Sequence, residues 1–143
     1  MTTDDELLKR AREVRGRAYA PYSNYSVGAG LEAADGSLYE GCNVENASYP
    51  VTLCAERGAL SAAVAAGRRA FRRIALSTSG VEAVAPCGAC RQALIEFAPN
   101  LEIVSEAGED VRRWSLDELH PVRFVLDPRE RRGAVPENGE TTV

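Results

Sequence analysis

The sequence has no apolar run approaching the roughly 20 residues that a helix needs to cross a bilayer, so no membrane span is expected. Its start, MTTDDELLKR, lacks the basic opening and apolar stretch of a secretory signal, which points to a cytoplasmic location. Positive charge is not in surplus either: 17 Lys and Arg stand against 21 Asp and Glu, a formal net charge of −4. That removes the electrostatic footprint of a duplex nucleic-acid binder, and no nucleic-acid polymer is expected as a partner. Arg68–Arg69 with Arg72–Arg73, and Arg129 with Arg131–Arg132, read as solvated surface. No internal repeat or low-complexity linker divides the chain. One domain over residues 1–127 is expected, followed by a charged tail, 128–143, that frays.

What is present is an ordinary globular composition: 143 residues, 45% apolar and 27% charged. At that length roughly two-thirds of the unfolded surface can be buried, so a core needs no disulfide staples. Thr3 with Glu6 has the form of a capping box, and Leu7, Leu8, Ala11, Val14 and Ala18 line one face of a helix expected over Thr3–Ala18. Two strand-like runs, Tyr25–Ala33 and Ser37–Asn43, flank Asp35–Gly36, the residue pair of a type I′ hairpin. Helices are expected over Thr52–Ala66 and Cys87–Phe97, with strands over Arg73–Thr78 and Leu101–Ser105. A short helix capped by Ser115 runs to Leu119, and Val122–Leu126 reads as a strand or an extended segment. The fold class is therefore α/β: an N-terminal helix and hairpin, then alternating strands and helices on a mixed sheet.

Four cysteines carry the chemistry: Cys42, Cys54, Cys87 and Cys90. In a reducing compartment their even number points to metal or redox chemistry rather than to disulfides. Cys87 and Cys90 are three apart at the start of a helix, so both sulfurs point the same way. Cys54, at the start of another helix, can add a third thiolate. Three protein ligands with an open fourth position is a catalytic zinc arrangement, whereas structural zinc sites are closed. Helix N-termini, together with Arg57 and Arg91, would draw electron density from the thiolates. Glu56, two residues from Cys54, is placed to move a proton. Cys42 reads as a buried strand cysteine. His120, the single histidine, lies far in sequence from the cysteines and reads as structural near a helix C-terminus.

These residues sit in a recognisable pattern. Asn43-Val44-Glu45-Asn46-Ala47-Ser48-Tyr49-Pro50, Cys54-Ala55-Glu56-Arg57 and Pro86-Cys87-Gly88-Ala89-Cys90-Arg91-Gln92 closely resemble the small homotetrameric cytidine deaminases. So does Ala20-Pro21-Tyr22-Ser23-Asn24-Tyr25-Ser26-Val27-Gly28-Ala29, and the likeness spans about Ala18 to Phe124. The resemblance implies hydrolytic deamination of cytidine and deoxycytidine in pyrimidine salvage, with one Zn2+ per subunit on Cys54, Cys87 and Cys90. It also implies that Glu56 takes a proton from the activated water, delivers it to N3 of the pyrimidine and later protonates the leaving amino group. Asn43 and Glu45 would hold the ribose hydroxyls, the Ala55 N–H would face the pyrimidine O2, and Phe124 would reach a neighbouring subunit's pyrimidine. Tyr25 stands where the family usually carries Phe and adds a hydroxyl near the sugar. Self-association as a homotetramer is implied as well, and the small residues Gly58, Ala59, Ser61, Ala62 and Ala63 would permit close helix approach.

Other readings remain open at this point. An aminonucleoside-antibiotic deaminase shares the Cys-x-Glu and Pro-Cys-x-x-Cys elements, although Asn43-Val44-Glu45 with Tyr49-Pro50 favours plain nucleosides. A polynucleotide-editing deaminase fits the acidic charge poorly. A structural zinc module closed by Cys42 or His120 leaves Glu56, Asn43 and Glu45 without a purpose. A redox dithiol would cycle Cys87 and Cys90 without zinc.

Overall fold

The computed structural model describes residues 2–126; the expected tail, 128–143, lies outside the described residues. Helix α1 (Asp4–Arg15) begins at the Thr3–Glu6 capping box and buries Leu7, Leu8, Ala11 and Val14. Strands β1 (Val27–Ala33) and β2 (Leu38–Cys42) form the hairpin, followed by a single 3-10 turn at Tyr49–Val51. Then come α2 (Ala55–Ala65), β3 (Phe71–Thr78), α3 (Gly88–Ile95), β4 (Glu102–Ala107), β5 (Asp110–Ser115) and α4 (Leu116–Leu119). The five strands lie in the order β2-β1-β3-β4-β5. Only β3 and β4 run parallel, joined through α3.

Strand alternation divides the core in two. Ala29, Leu31, Ile74, Leu76, Leu101 and Ile103 pack with α2 and α3. Ala75 and Val104 pack with α1 through Leu7, Leu8 and Ala11. Glycines set how closely the helices approach. A Cβ on Gly28 would lie 1.9 Å from the Ala11 carbonyl oxygen, and one on Gly41 would lie 2.3 Å from that of Ala55. Both obstacles are helix backbone, which does not rotate aside. Gly28→Ala is therefore expected to lower stability by about 1–3 kcal/mol or more, the usual range for overpacking. The urea midpoint checks this; a wild-type midpoint would mean that α1 is not seated as described.

The charges on the α1 side are paired. Glu32, fully buried in β1, accepts from Arg73 at 2.7 Å, and Arg73 also reaches Asp4. Glu106 receives Arg12 through two bonds of 2.8 Å and the Ser77 hydroxyl at 2.9 Å. These bonds tie α1 to the sheet and supply donors to both buried carboxylates, although Glu32 Oε1 itself has only Arg72 at 3.6 Å.

Several expectations change. Among the hairpin residues only Gly36 has positive φ, 87°, so Ala34–Gly36 form a three-residue loop and not a type I′ turn. Gly36 N–H closes it on the Ala33 carbonyl at 2.9 Å. The first strand starts at Val27 rather than Tyr25, because Asn24 (φ 55°) turns the chain just before it. Val122–Leu126 forms no strand. The edge position belongs instead to β5, whose Asp110-Val111-Arg112-Arg113-Trp114-Ser115 is mostly solvated and shows little apolar alternation. Its signal was the Gly108–Glu109 pair, with Gly108 at φ 57° in a two-residue hairpin loop.

Candidate active site

Cys54 is the N-cap of α2 and Cys87 the N-cap of α3, both in extended backbone, and neither sulfur is used in a capping hydrogen bond. Cys90 is the third residue of α3. Side chains at N-cap and third position meet across a helix's first turn, which is why capping boxes close there. In α3 both positions carry thiols. Packing of α2 and α3 on one sheet face brings Cys54 to the same place, and the three Sγ atoms lie within 4.8 Å of one another. A single ion at ordinary Zn–S distances of about 2.3 Å can touch all three. Cys87 is exposed, Cys54 half-buried and Cys90 buried, so the cluster opens to solvent on one side.

Its electrostatics favour a thiolate at Cys54. A hydrogen bond from Cys90, with the Arg57 guanidinium beside it, brings the Cys54 thiol down to about 5. Cys90 gives its proton to that bond, and burial adds to the effect, so its own thiol is pushed up. Arg57 Nη2 donates to Cys54 Sγ at 3.4 Å and to the Thr52 carbonyl at 3.4 Å. Glu56 is buried, and burial foremost, then the Cys54 charge, raises its carboxyl above the ordinary carboxylate range.

Arg91 behaves differently from the parallel placement expected of it. Its Nε donates to the Pro86 carbonyl at 2.7 Å and its Nη1 to that of Leu119 at 3.0 Å. The reason is position: Arg57 is three residues past its N-cap cysteine, but Arg91 is four past Cys87, and the extra residue rotates it off the sulfurs. Arg91 fastens the carbonyl just before Cys87 instead.

A second group gathers beside the first. Two backbone bonds of 2.9 Å pair Val44 with Leu53, so Asn43 and Glu45 flank the segment that ends at Cys54. Asn43 Nδ2 donates to the Tyr25 carbonyl at 2.8 Å, and its Oδ1 accepts Val27 N–H at 2.9 Å. The Tyr25 ring lies against Gly80, where a Cβ would meet it at 2.9 Å. Ala55 is fully buried at the first position of α2, where a helix N–H has no partner within the helix.

Phe124 belongs to neither group; its side chain is 70% exposed, and its carbonyl accepts from Gln92 at 3.1 Å. Gln92 also meets His120 Nε2 at 3.2 Å, so this glutamine, unassigned from sequence, ties the segment after α4 to α3. His120 caps α4 and, like Cys42, stands outside the thiol cluster. Cys42 is half-buried rather than buried. Of the small residues on α2, Gly58, Ala59 and Ala63 pack within the chain, which leaves Ser61 and Ala62 exposed.

Three thiols gathered at two helix N-termini on one sheet face, with a buried carboxylate next to them, have the donor set of a metal centre with a proton carrier beside it. A family model described as the cytidine and deoxycytidylate deaminase zinc-binding region matches residues 1–105. The cytidine deaminase of Halalkalibacterium halodurans is 42% identical over 123 residues, 85% of this chain and 93% of that one. That of Sporosarcina psychrophila is 46% identical over 93 residues, 65% and 68% of the two chains. The crystal structure of cytidine deaminase from Burkholderia pseudomallei matches with a TM-score of 0.83 and 48% identity, covering 86% of this chain and all of that one. The chain belongs to the cytidine deaminase family, with that family's zinc-binding domain and its mixed five-stranded fold. It is a hydrolase acting on a C–N bond. Among the described residues no helix is long and apolar enough to cross a membrane.

Proposed function

We propose that this chain deaminates cytidine and deoxycytidine to uridine and deoxyuridine in pyrimidine salvage, with zinc on Cys54, Cys87 and Cys90, one ion per subunit. The observation that supports the reading most is the three-thiol cluster with Glu56 beside Cys54, together with the Val44–Leu53 pairing that ties the Asn43–Glu45 segment to the one ending at Cys54. Zinc, when bound, supplies the Lewis acidity that makes water nucleophilic at neutral pH. Glu56 takes a proton from that water and passes it to N3 of the pyrimidine as oxygen bonds to C4. It then carries the second water proton to the amino group, which leaves as ammonia while the C4 carbonyl forms. Burial suits Glu56 to this alternation, because it raises the carboxyl above its ordinary range and so eases the protonated half of the cycle. Ala55 N–H binds the pyrimidine O2, and Arg57 keeps the Cys54 charge partly neutralised through its hydrogen bond.

Asn43 and Glu45 hold the sugar hydroxyls, with Tyr25 alongside. A cavity of about 270 Å³ next to Glu45 is lined by Tyr22, Ser23, Glu45, Tyr49 and Thr52. Among the described residues it presents a carboxylate and no cationic side chain, which favours a nucleoside over a nucleotide. Val122, Phe124 and Val125, each more than two-thirds exposed, support self-association as a homotetramer in which Phe124 reaches a neighbouring pyrimidine. Four free thiols are consistent with a reducing cytoplasm.

A panel of cytidine, deoxycytidine, cytosine and CMP, run with zinc quantified on the same sample, tests the assignment. Turnover of both nucleosides is expected, with cytosine and CMP poor. Activity on CMP without activity on cytidine would overturn it.

A further inference from the structure

Glu45 is held by a turn that lines the same cavity. Its Oε1 accepts the backbone N–H groups of Tyr22 at 2.9 Å and Ser23 at 3.0 Å, and its Oε2 accepts the Ser23 hydroxyl. The direction of that last bond is set by Tyr25, whose N–H donates to Ser23 Oγ at 3.0 Å. An oxygen already receiving a donor on that side turns its own proton to the carboxylate. Asn24, in the left-handed region that a short polar side chain tolerates, reverses the chain between Ser23 and Tyr25. The same segment grips Asn43 through the Tyr25 carbonyl and the Val27 N–H. One turn therefore fastens both side chains directed at the sugar, and its hydroxyl member was not singled out from the sequence.

We propose that Ser23 is a positioning residue: its hydroxyl fixes the Glu45 carboxylate in the orientation that receives the sugar hydroxyls, a role that rests on the reading of Asn43 and Glu45 as sugar-holding residues. The bond from Ser23 foremost, with those from the two N–H groups, also holds the Glu45 carboxyl below its usual range, so it acts purely as an acceptor at neutral pH. A carboxylate ordered before the nucleoside arrives loses no rotamer freedom on binding. Because the sugar is unchanged between ground and transition states, such a contribution falls on KM and spares kcat.

The test uses zinc-loaded enzyme with cytidine and 2′,3′-dideoxycytidine as substrates. Ser23→Ala is expected to raise KM for cytidine about tenfold, the scale of one charge-assisted hydrogen bond, with kcat within about twofold of wild type. Ser23→Thr, which keeps the hydroxyl, should restore KM. The penalty should largely vanish on the dideoxy substrate, which lacks the hydroxyls Glu45 would hold. A fall in kcat at unchanged KM would mark Ser23 as merely structural, and an equal KM penalty on both substrates, or failure of Ser23→Thr to rescue, would also overturn the proposal. Glu45→Gln separates the two levels of inference. An unchanged KM for cytidine in that variant removes the sugar-holding reading itself. A raised KM there, with wild-type KM in Ser23→Ala, leaves that reading intact and removes only the role of Ser23. Should Ser23→Ala not fold, Ser23→Cys, a weaker donor of similar shape, is expected to show a smaller KM rise, and a wild-type KM in it counts against the proposal.

Discussion

Glu56→Gln is expected to keep its zinc and its fold while losing about 10²–10⁴ in kcat, the contribution usual for a positioned acid–base group. The amide matches the carboxylate in shape, and Glu56 is not one of the three clustered sulfur donors, so metal content should not change. What disappears is the ability to accept a proton and give it back. The environment bears on this expectation: burial foremost raises the Glu56 carboxyl above the ordinary carboxylate range, which eases its protonation. An amide cannot ionise and so carries no cost of burying a charge, and folding stability should be equal to wild type or higher. Steady-state kinetics, zinc content and a thermal melt on one preparation check all three statements. Near-normal turnover with full zinc would rule out Glu56 as the proton carrier.

Cys87→Ala should remove metal and activity together. Cys87 is exposed, so truncating it costs little packing, and the variant should fold. Two sulfurs then remain of the three that lie within 4.8 Å of one another. Among the described residues no other side chain that holds metals joins the cluster, Cys42 and His120 included, so nothing stands ready to replace the lost ligand. Binding to the folded state stabilises it by mass action, about 2.7 kcal/mol for each hundredfold excess of ligand over Kd. A chelator should therefore lower the melting temperature of the wild type and leave Cys87→Ala unmoved. Full zinc occupancy in the variant would show that a different set of donors holds the ion.

Much of this site could be read one residue at a time. Cys54, Glu56, Cys87 and Cys90 stand in short local patterns whose meaning depends on helix periodicity, and both helices begin at the cysteines themselves. The first helix and its capping box are equally local. Arg91 shows where that reading fails: its placement resembled that of Arg57, yet one residue of helical phase turns it to the carbonyls of Pro86 and Leu119. The edge strand β5 escaped because an exposed strand has no buried face to impose alternation on its residues. Ser23 escaped for another reason. A serine among turn residues has no distinguishing mark until its partner, 22 positions away, is brought opposite it.

The sequence by itself determined which atoms are available: four thiols, three of them in the local patterns Cys54-Ala55-Glu56 and Cys87-Gly88-Ala89-Cys90, an amide and a second carboxylate two residues apart, and an acidic balance unsuited to polyphosphate partners. It also determined where α1 and α4 start, because their capping boxes act over three residues, whereas α2, expected from Thr52, begins at Ala55. Only the tertiary structure decided that Cys54 joins the Cys87–Cys90 pair. It likewise decided that Val44 pairs with Leu53, joining the Asn43–Glu45 segment to the one that ends at Cys54, and that the Tyr22–Val27 segment clamps both of those side chains. Those juxtapositions arise from burying two sheet faces under helices, with Gly28 and Gly41 letting the helices come close. Such packing is a collective property of distant segments, and no short stretch of the chain carries it.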